Sequence, residues 1–134
     1  MENYKHRIID SLLKKKLQAK GAILIEGPKW CGKTTTAEEI AASKVMLART
    51  DVKNNFKNLL EIDIEAALSG EPPMLIDEWQ TVPKLWDAVR YTVDHRRKMG
   101  QFILTGSAVP NKETEDEIEH SGTGRFAWLT MRPM

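Results

Sequence analysis

Gly27, Gly32, Lys33 and Thr34, in the stretch GPKWCGKTTT, have the spacing G-x-x-x-x-G-K-T, which brings together the groups that hold a phosphate. Glycines let backbone N–H groups approach an anion without an obstructing Cβ, so the amides from Trp30 to Thr35 can wrap a β-phosphate. A helix starting at the end of such a loop adds its unsatisfied N–H groups and the positive end of its dipole. The expected nucleotide-binding set is therefore Gly27, Pro28, Lys29, Trp30, Cys31, Gly32, Lys33, Thr34 and Thr35, with Lys33 reaching the β- and γ-phosphates. The Thr34 hydroxyl suits Mg²⁺, a hard ion that takes oxygen ligands and shares them with the phosphates. Cys31 lies where a thiol can be acidified. The variable loop positions accept many residue types, so Cys31 is read as a lining residue only.

A phosphate loop alone does not separate kinases, ATPases and GTPases, and a second carboxylate site carries that distinction. In MLIDEW, Asp77 follows three apolar residues at the carboxyl end of an expected strand, and Glu78 stands beside it. A carboxylate in the first position can hold Mg²⁺, and one in the second can orient and deprotonate an attacking water. A base aimed at water favours hydrolysis, because a kinase must exclude that water from its transfer site. In FILTGSA, Thr105 and Ser107 offer hydroxyls at a neighbouring strand end to sense the γ-phosphate or place the water, Thr105 first, although Thr-Gly-Ser is also ordinary turn chemistry. Arg125, in SGTGR, can stabilise transition-state charge in its own chain or a neighbour's. The expected catalytic residues are thus Lys33, Glu78, Thr105 and Arg125, with Thr34 and Asp77 on the metal.

These side chains need rigid elements to position them. Residues 1–20 repeat Ile8, Ile9, Leu12, Leu13 and Leu17 at helical spacing, with Lys14, Lys15, Lys16 and Lys20 on the other face and Gly21 as a stop. AILIE is a strand, TTTAEEIAAS a helix and KVMLA a second strand. The stretch after it is weakly patterned, with Phe56, Leu59 and Leu60 on one helical face. PMLIDEW is a third strand, with Pro72 and Pro73 as an edge or start signal. Val82, Leu85, Trp86, Val89 and Val93 step by three and four along a long helix. That helix ends in His95, Arg96 and Arg97, where cations offset the dipole. QFILTGS and RFAWLTM complete the strands, on either side of a polar, acidic loop over 108–123. Alternating strands and helices predict a parallel sheet covered on both faces, with a crevice at the carboxyl ends of its strands.

The bulk composition narrows the function classes. Twenty basic and nineteen acidic residues give a net charge of +1, which removes any global electrostatic case for nucleic acid or an anionic membrane. The lone Cys31 cannot form an internal disulfide and points to a reducing, cytoplasmic setting. No stretch approaches the length of a membrane span, and the chain has the size of one domain.

Four segments, GAILIEGPKWCGKTTTA, MLIDEWQTVPKLWDAVRYTVD, FILTGSA and GTGRFAWLTMRPM, together resemble a family of prokaryotic AAA-type ATP-binding proteins over nearly the whole chain. The resemblance implies an α/β P-loop NTPase, a three-layer α/β/α fold with a mostly parallel sheet of about five strands of the additional-strand type. In that arrangement the Thr105 strand separates the acidic-pair strand from the loop strand. It also implies ATP and Mg²⁺ as cofactors. Family members usually continue into a C-terminal domain, so 1–134 is expected to be a single ATPase core truncated before it. The expectation is Mg²⁺-dependent ATP hydrolysis. The alternatives are a nucleotide-binding switch without turnover and a P-loop small-molecule kinase. An unknown protein partner and a homo-oligomer both remain open.

Overall fold

A computed structural model describes residues 2–26, 33–106 and 126–130. Its elements in chain order are α1 (Glu2–Ala19), β1 (Ala22–Glu26), α2 (Lys33–Ile40), β2 (Ser43–Met46), α3 (Thr50–Ile62), α4 (Ile64–Ala67), β3 (Met74–Asp77), a 3₁₀ turn (Trp79–Thr81), α5 (Leu85–Arg96), β4 (Phe102–Gly106) and β5 (Phe126–Thr130). The five strands form one sheet in the order β2-β3-β4-β1-β5, with every neighbouring pair parallel. β4 therefore lies between β3 and β1, as the family resemblance implies.

Parallel strands covered on both faces are apolar at every position, which is why AILIE, MLID and FIL read as runs and not as alternations. Side chains still alternate between faces and so sort into two cores. Ala22, Leu24, Met74, Ile76, Phe102 and Leu104 pack with Phe56 and Leu60 of α3, Leu68 after α4, and Trp86, Val89 and Val93 of α5. Ile23, Ile25, Leu75 and Ile103 pack with Leu13 and Leu17 of α1 and Ala37 of α2. The result is a three-layer sandwich with α1 and α2 on one side and α3, α4 and α5 on the other.

The register of the central strands is set at their amino-terminal ends. Gly100 N–H donates to Lys20 O at 2.9 Å and Gln101 N–H to Gly21 O at 2.8 Å, which ties the turn after α5 to the turn after α1. Gly100 has φ +66°, a conformation glycine adopts without steric cost, and a Cβ on Gly21 would lie 2.3 Å from Val93 Cγ1. Arg96 reinforces this end: its guanidinium donates to Leu68 O at 2.9 Å and Gln101 Oε1 at 3.2 Å, and it lies 5.7 Å from the Phe102 ring centroid. Ala22 thus pairs with Phe102, and Phe102 with Met74.

Locally the chain departs from its periodicity in three places. Pro83 disfavours a helical conformation at the preceding residue. Val82 accordingly takes φ −129°, ψ 82°, and α5 begins at Leu85, not at Val82, although Val82 stays buried. The weakly patterned stretch forms α3 and α4, separated by Asp63, whose Oδ1 accepts from Ala66 N–H at 3.2 Å as a helix N-cap. Phe56 and Leu60 of α3 are buried, whereas Leu59 is exposed; in α1, Leu13 and Leu17 are buried and Leu12 is exposed. β3 is interior, so Pro72 and Pro73 mark a strand start and not an edge.

Phe102→Ala, at a fully buried position on a central strand, is expected to cost about 3–5 kcal/mol of unfolding free energy in urea denaturation. Ile62→Ala, at a residue 83% exposed, is expected to stay within about 0.5 kcal/mol of the parent.

Candidate functional site

Because the central strands start level, they also end level. Asp77 pairs with Thr105, Thr105 with Ile25, and Gly106 with Glu26, so the carboxyl ends of β3, β4 and β1 form one row. The phosphate-loop sequence follows β1 directly, and α2 begins at Lys33. Asp77 and Thr105 share the side of the sheet held by Leu75, Ile103 and Ile25, which is the side that α2 covers. The acidic strand end and the helix after the loop therefore stand on one face.

On that face the Thr105 hydroxyl donates to Asp77 Oδ1 at 2.6 Å. Thr105 is fully buried and Asp77 is 6% exposed. Ionised carboxylates are stable at such depth only where hydrogen bonds or cations compensate them, and Thr105 supplies one such bond. Thr105, expected from the sequence to sense the γ-phosphate or place the water, thus stands against the Asp77 carboxylate at the strand end. The donor set is oxygen, which suits Mg²⁺.

Glu78 leaves β3 in the left-handed region, with φ 59° and ψ 46°. A residue with a Cβ pays about 1–2 kcal/mol to stand there. The bend turns the chain into the 3₁₀ turn, whose Thr81 N–H and Oγ1 both donate to Glu78 O, at 3.1 and 2.9 Å. Trp79, buried in the α5-side core, packs against Trp86 with ring centroids 5.7 Å apart and so anchors the turn. The half-buried Glu78 carboxylate accepts from Gln80 Nε2 at 2.6 Å. Sequence reasoning passed over Gln80, whose only signal is its place two residues beyond a candidate base.

Of the expected site residues, the structure brings together Asp77, Glu78 and Thr105 and sets Lys33, Thr34 and Thr35 in the first turn of α2. Gly27, Pro28, Lys29, Trp30, Cys31, Gly32, Ser107 and Arg125 lie outside the described residues, as does the 108–123 loop. Among the described residues, no helix is long and apolar enough to cross a membrane.

The all-parallel sheet, the order of its central strands, the acidic strand end and the passage from β1 to α2 across the phosphate-loop sequence define a P-loop NTPase fold. The model of the AAA domain family matches residues 19–134, and the chain belongs to that family. AAA domains in general are associated with nucleotide binding and ATPase activity. An uncharacterized protein of Mycobacterium bovis is 31% identical over 100 residues, covering 74% of this chain and 22% of its own length. An uncharacterized protein of Mycobacterium tuberculosis matches to the same extent. The chain thus spans about a fifth of the length of these curated relatives, 22% in each case.

The Thr105–Asp77 hydrogen bond can be tested directly. Thr105→Val is expected to lower the unfolding free energy by about 1–3 kcal/mol, because Asp77 loses a buried donor. A double-mutant denaturation cycle with Asp77→Ala should give a coupling of about 1 kcal/mol or more, whereas additive effects would remove Thr105 as an orienting group.

Proposed function

We propose that this chain is an ATP-binding, Mg²⁺-dependent ATPase core. The observation that carries the reading is the buried Asp77–Thr105 pair at the carboxyl ends of β3 and β4, on the sheet face that α2 covers. Phosphate bound at the start of α2 and a metal held by Asp77 need that shared side.

In this reading the loop amides and Lys33 bind the β- and γ-phosphates, and Thr34 and Asp77 hold the metal. Mg²⁺, when bound, neutralises charge on the phosphates. Thr105 keeps the Asp77 carboxylate in one rotamer, so the ligand is ordered before nucleotide arrives. Glu78 takes the proton from a water as that water attacks the γ-phosphorus. The bond from the γ-phosphorus to the β–γ bridging oxygen breaks, and ADP and inorganic phosphate leave. Lys33 and Arg125 offset the charge that builds up on the transferring group. The single cysteine supports a reducing, cytosolic setting.

Calorimetric ATP titration combined with phosphate-release assays tests these assignments. Lys33→Ala is expected to abolish nucleotide binding. Glu78→Gln is expected to keep ATP affinity within about threefold and to lower kcat by about 100-fold or more, the range set by loss of a general base. Parent-rate turnover by Glu78→Gln would exclude Glu78 as the base. ATP binding by the parent with no phosphate release would leave a nucleotide switch in place of an enzyme.

A further inference from the structure

Gln80 is two residues past Glu78, yet its side chain folds back so that Nε2 donates to Glu78 Oε2 at 2.6 Å. Its other end is equally confined. A Cβ built on Gly106 would lie 2.8 Å from Gln80 Oε1 and 3.1 Å from Trp79 Nε1, so the amide rests on the bare backbone where β4 ends. Gln80 Oε1 is buried and accepts no hydrogen bond among the described residues. An orphaned buried acceptor is costly and persists where something else fixes the group. Here the carboxylate fixes it: turned over, the amide would set its carbonyl oxygen against the negative charge of Glu78. Gly106 shares the side of β4 occupied by Phe102 and Leu104, so Gln80 reaches the strand end from the α5 side, while Asp77 and Thr105 face α2.

We infer that Gln80 is a positioning residue for ATP hydrolysis: its amide, seated on Gly106, holds the Glu78 carboxylate at the end of β4. The inference rests on the reading of Glu78 as the base. Glu78 stands just beyond its strand, on a left-handed bend, with a long side chain that needs a fixed orientation to act as a base. A base must lie within hydrogen-bond reach of its water, and small misplacements are expensive in rate. The Gln80 donor fixes one carboxylate oxygen without adding charge. Its seat on Gly106 ties that oxygen to the strand whose preceding residue, Thr105, orients Asp77. The metal ligand and the base are thereby registered to one another through β4.

The test is steady-state ATP hydrolysis by the protein with Gln80→Met, which keeps the chain length and removes the donor. The expected result is a kcat lowered about 10–100-fold, as for other partners that orient a site group, with the ATP dissociation constant changed less than about twofold. Gln80→Glu, nearly isosteric, should lose at least as much rate by setting a carboxylate against Glu78, and it carries the test if the methionine variant fails to fold. Gly106→Ala, which displaces the amide without altering Glu78 or Gln80, should also lower kcat. In a Glu78→Gln background, Gln80→Met should lower the residual rate no further. A kcat at or above the parent value in Gln80→Met, alongside an inactive Glu78→Gln, would overturn the role of Gln80 and leave Glu78 as the base. Parent-rate turnover by Glu78→Gln would overturn both.

Discussion

The hydrogen bonds that join the turn after α5 to the turn after α1 set the register on which the site depends. Gly100 N–H on Lys20 O and Gln101 N–H on Gly21 O bring the amino-terminal ends of β1 and β4 level. Parallel pairing carries that alignment along both strands and across to β3. Asp77 then stands opposite Thr105, and their 2.6 Å hydrogen bond follows from a clamp at the far end of the sheet. A slip of one residue would move Asp77 to the other face of the sheet or out of reach of Thr105.

That register is strongly specified because both faces of the sheet are buried. β1 and β4 contribute fully buried Ile23, Ile25 and Ile103 to the core under α1 and α2, and Leu24, Phe102 and Leu104 to the core under α3 and α5. A one-residue slip would exchange these side chains between two cores packed by different helices, where their shapes no longer match. The polar groups of the site lie where this constraint ends, at the last strand positions and just beyond. At Glu78 the chain leaves the sheet through a conformation that a regular strand never adopts. Trp79, packed on Trp86, holds the turn that follows.

Much of this was legible in the sequence, for physical reasons. Strands buried on both faces are apolar along most of their length, so AILIE, PMLIDEW and QFILTGS were readable as runs, and β1, β3 and β4 lie within them, as β5 lies within RFAWLTM. The phosphate-loop spacing marks its own strand-to-helix context. α3 was less clear because its apolar residues do not form one clean stripe: Leu59 and Ile62 face solvent while Phe56 and Leu60 are buried. The start of α5 was displaced because Pro83 acts on the residue before it, overriding a helical period that began at Val82. The Asp77–Thr105 bond joins residues 28 apart and depends on register, which no local pattern encodes. Gln80 was missed for the same reason, since its partners are a bend and a glycine on another strand.

The central claim is that one face of the sheet unites the helix after the phosphate loop with the Asp77 carboxylate in a single metal–nucleotide site. Titration of a non-hydrolysable ATP analogue, with and without Mg²⁺, into the parent and into Asp77→Asn addresses it most directly. The expected result is that Mg²⁺ tightens binding by the parent about tenfold or more, roughly 1.4 kcal/mol, and that this gain disappears in Asp77→Asn while metal-free affinity is unchanged. An undiminished Mg²⁺ gain in Asp77→Asn would contradict the account.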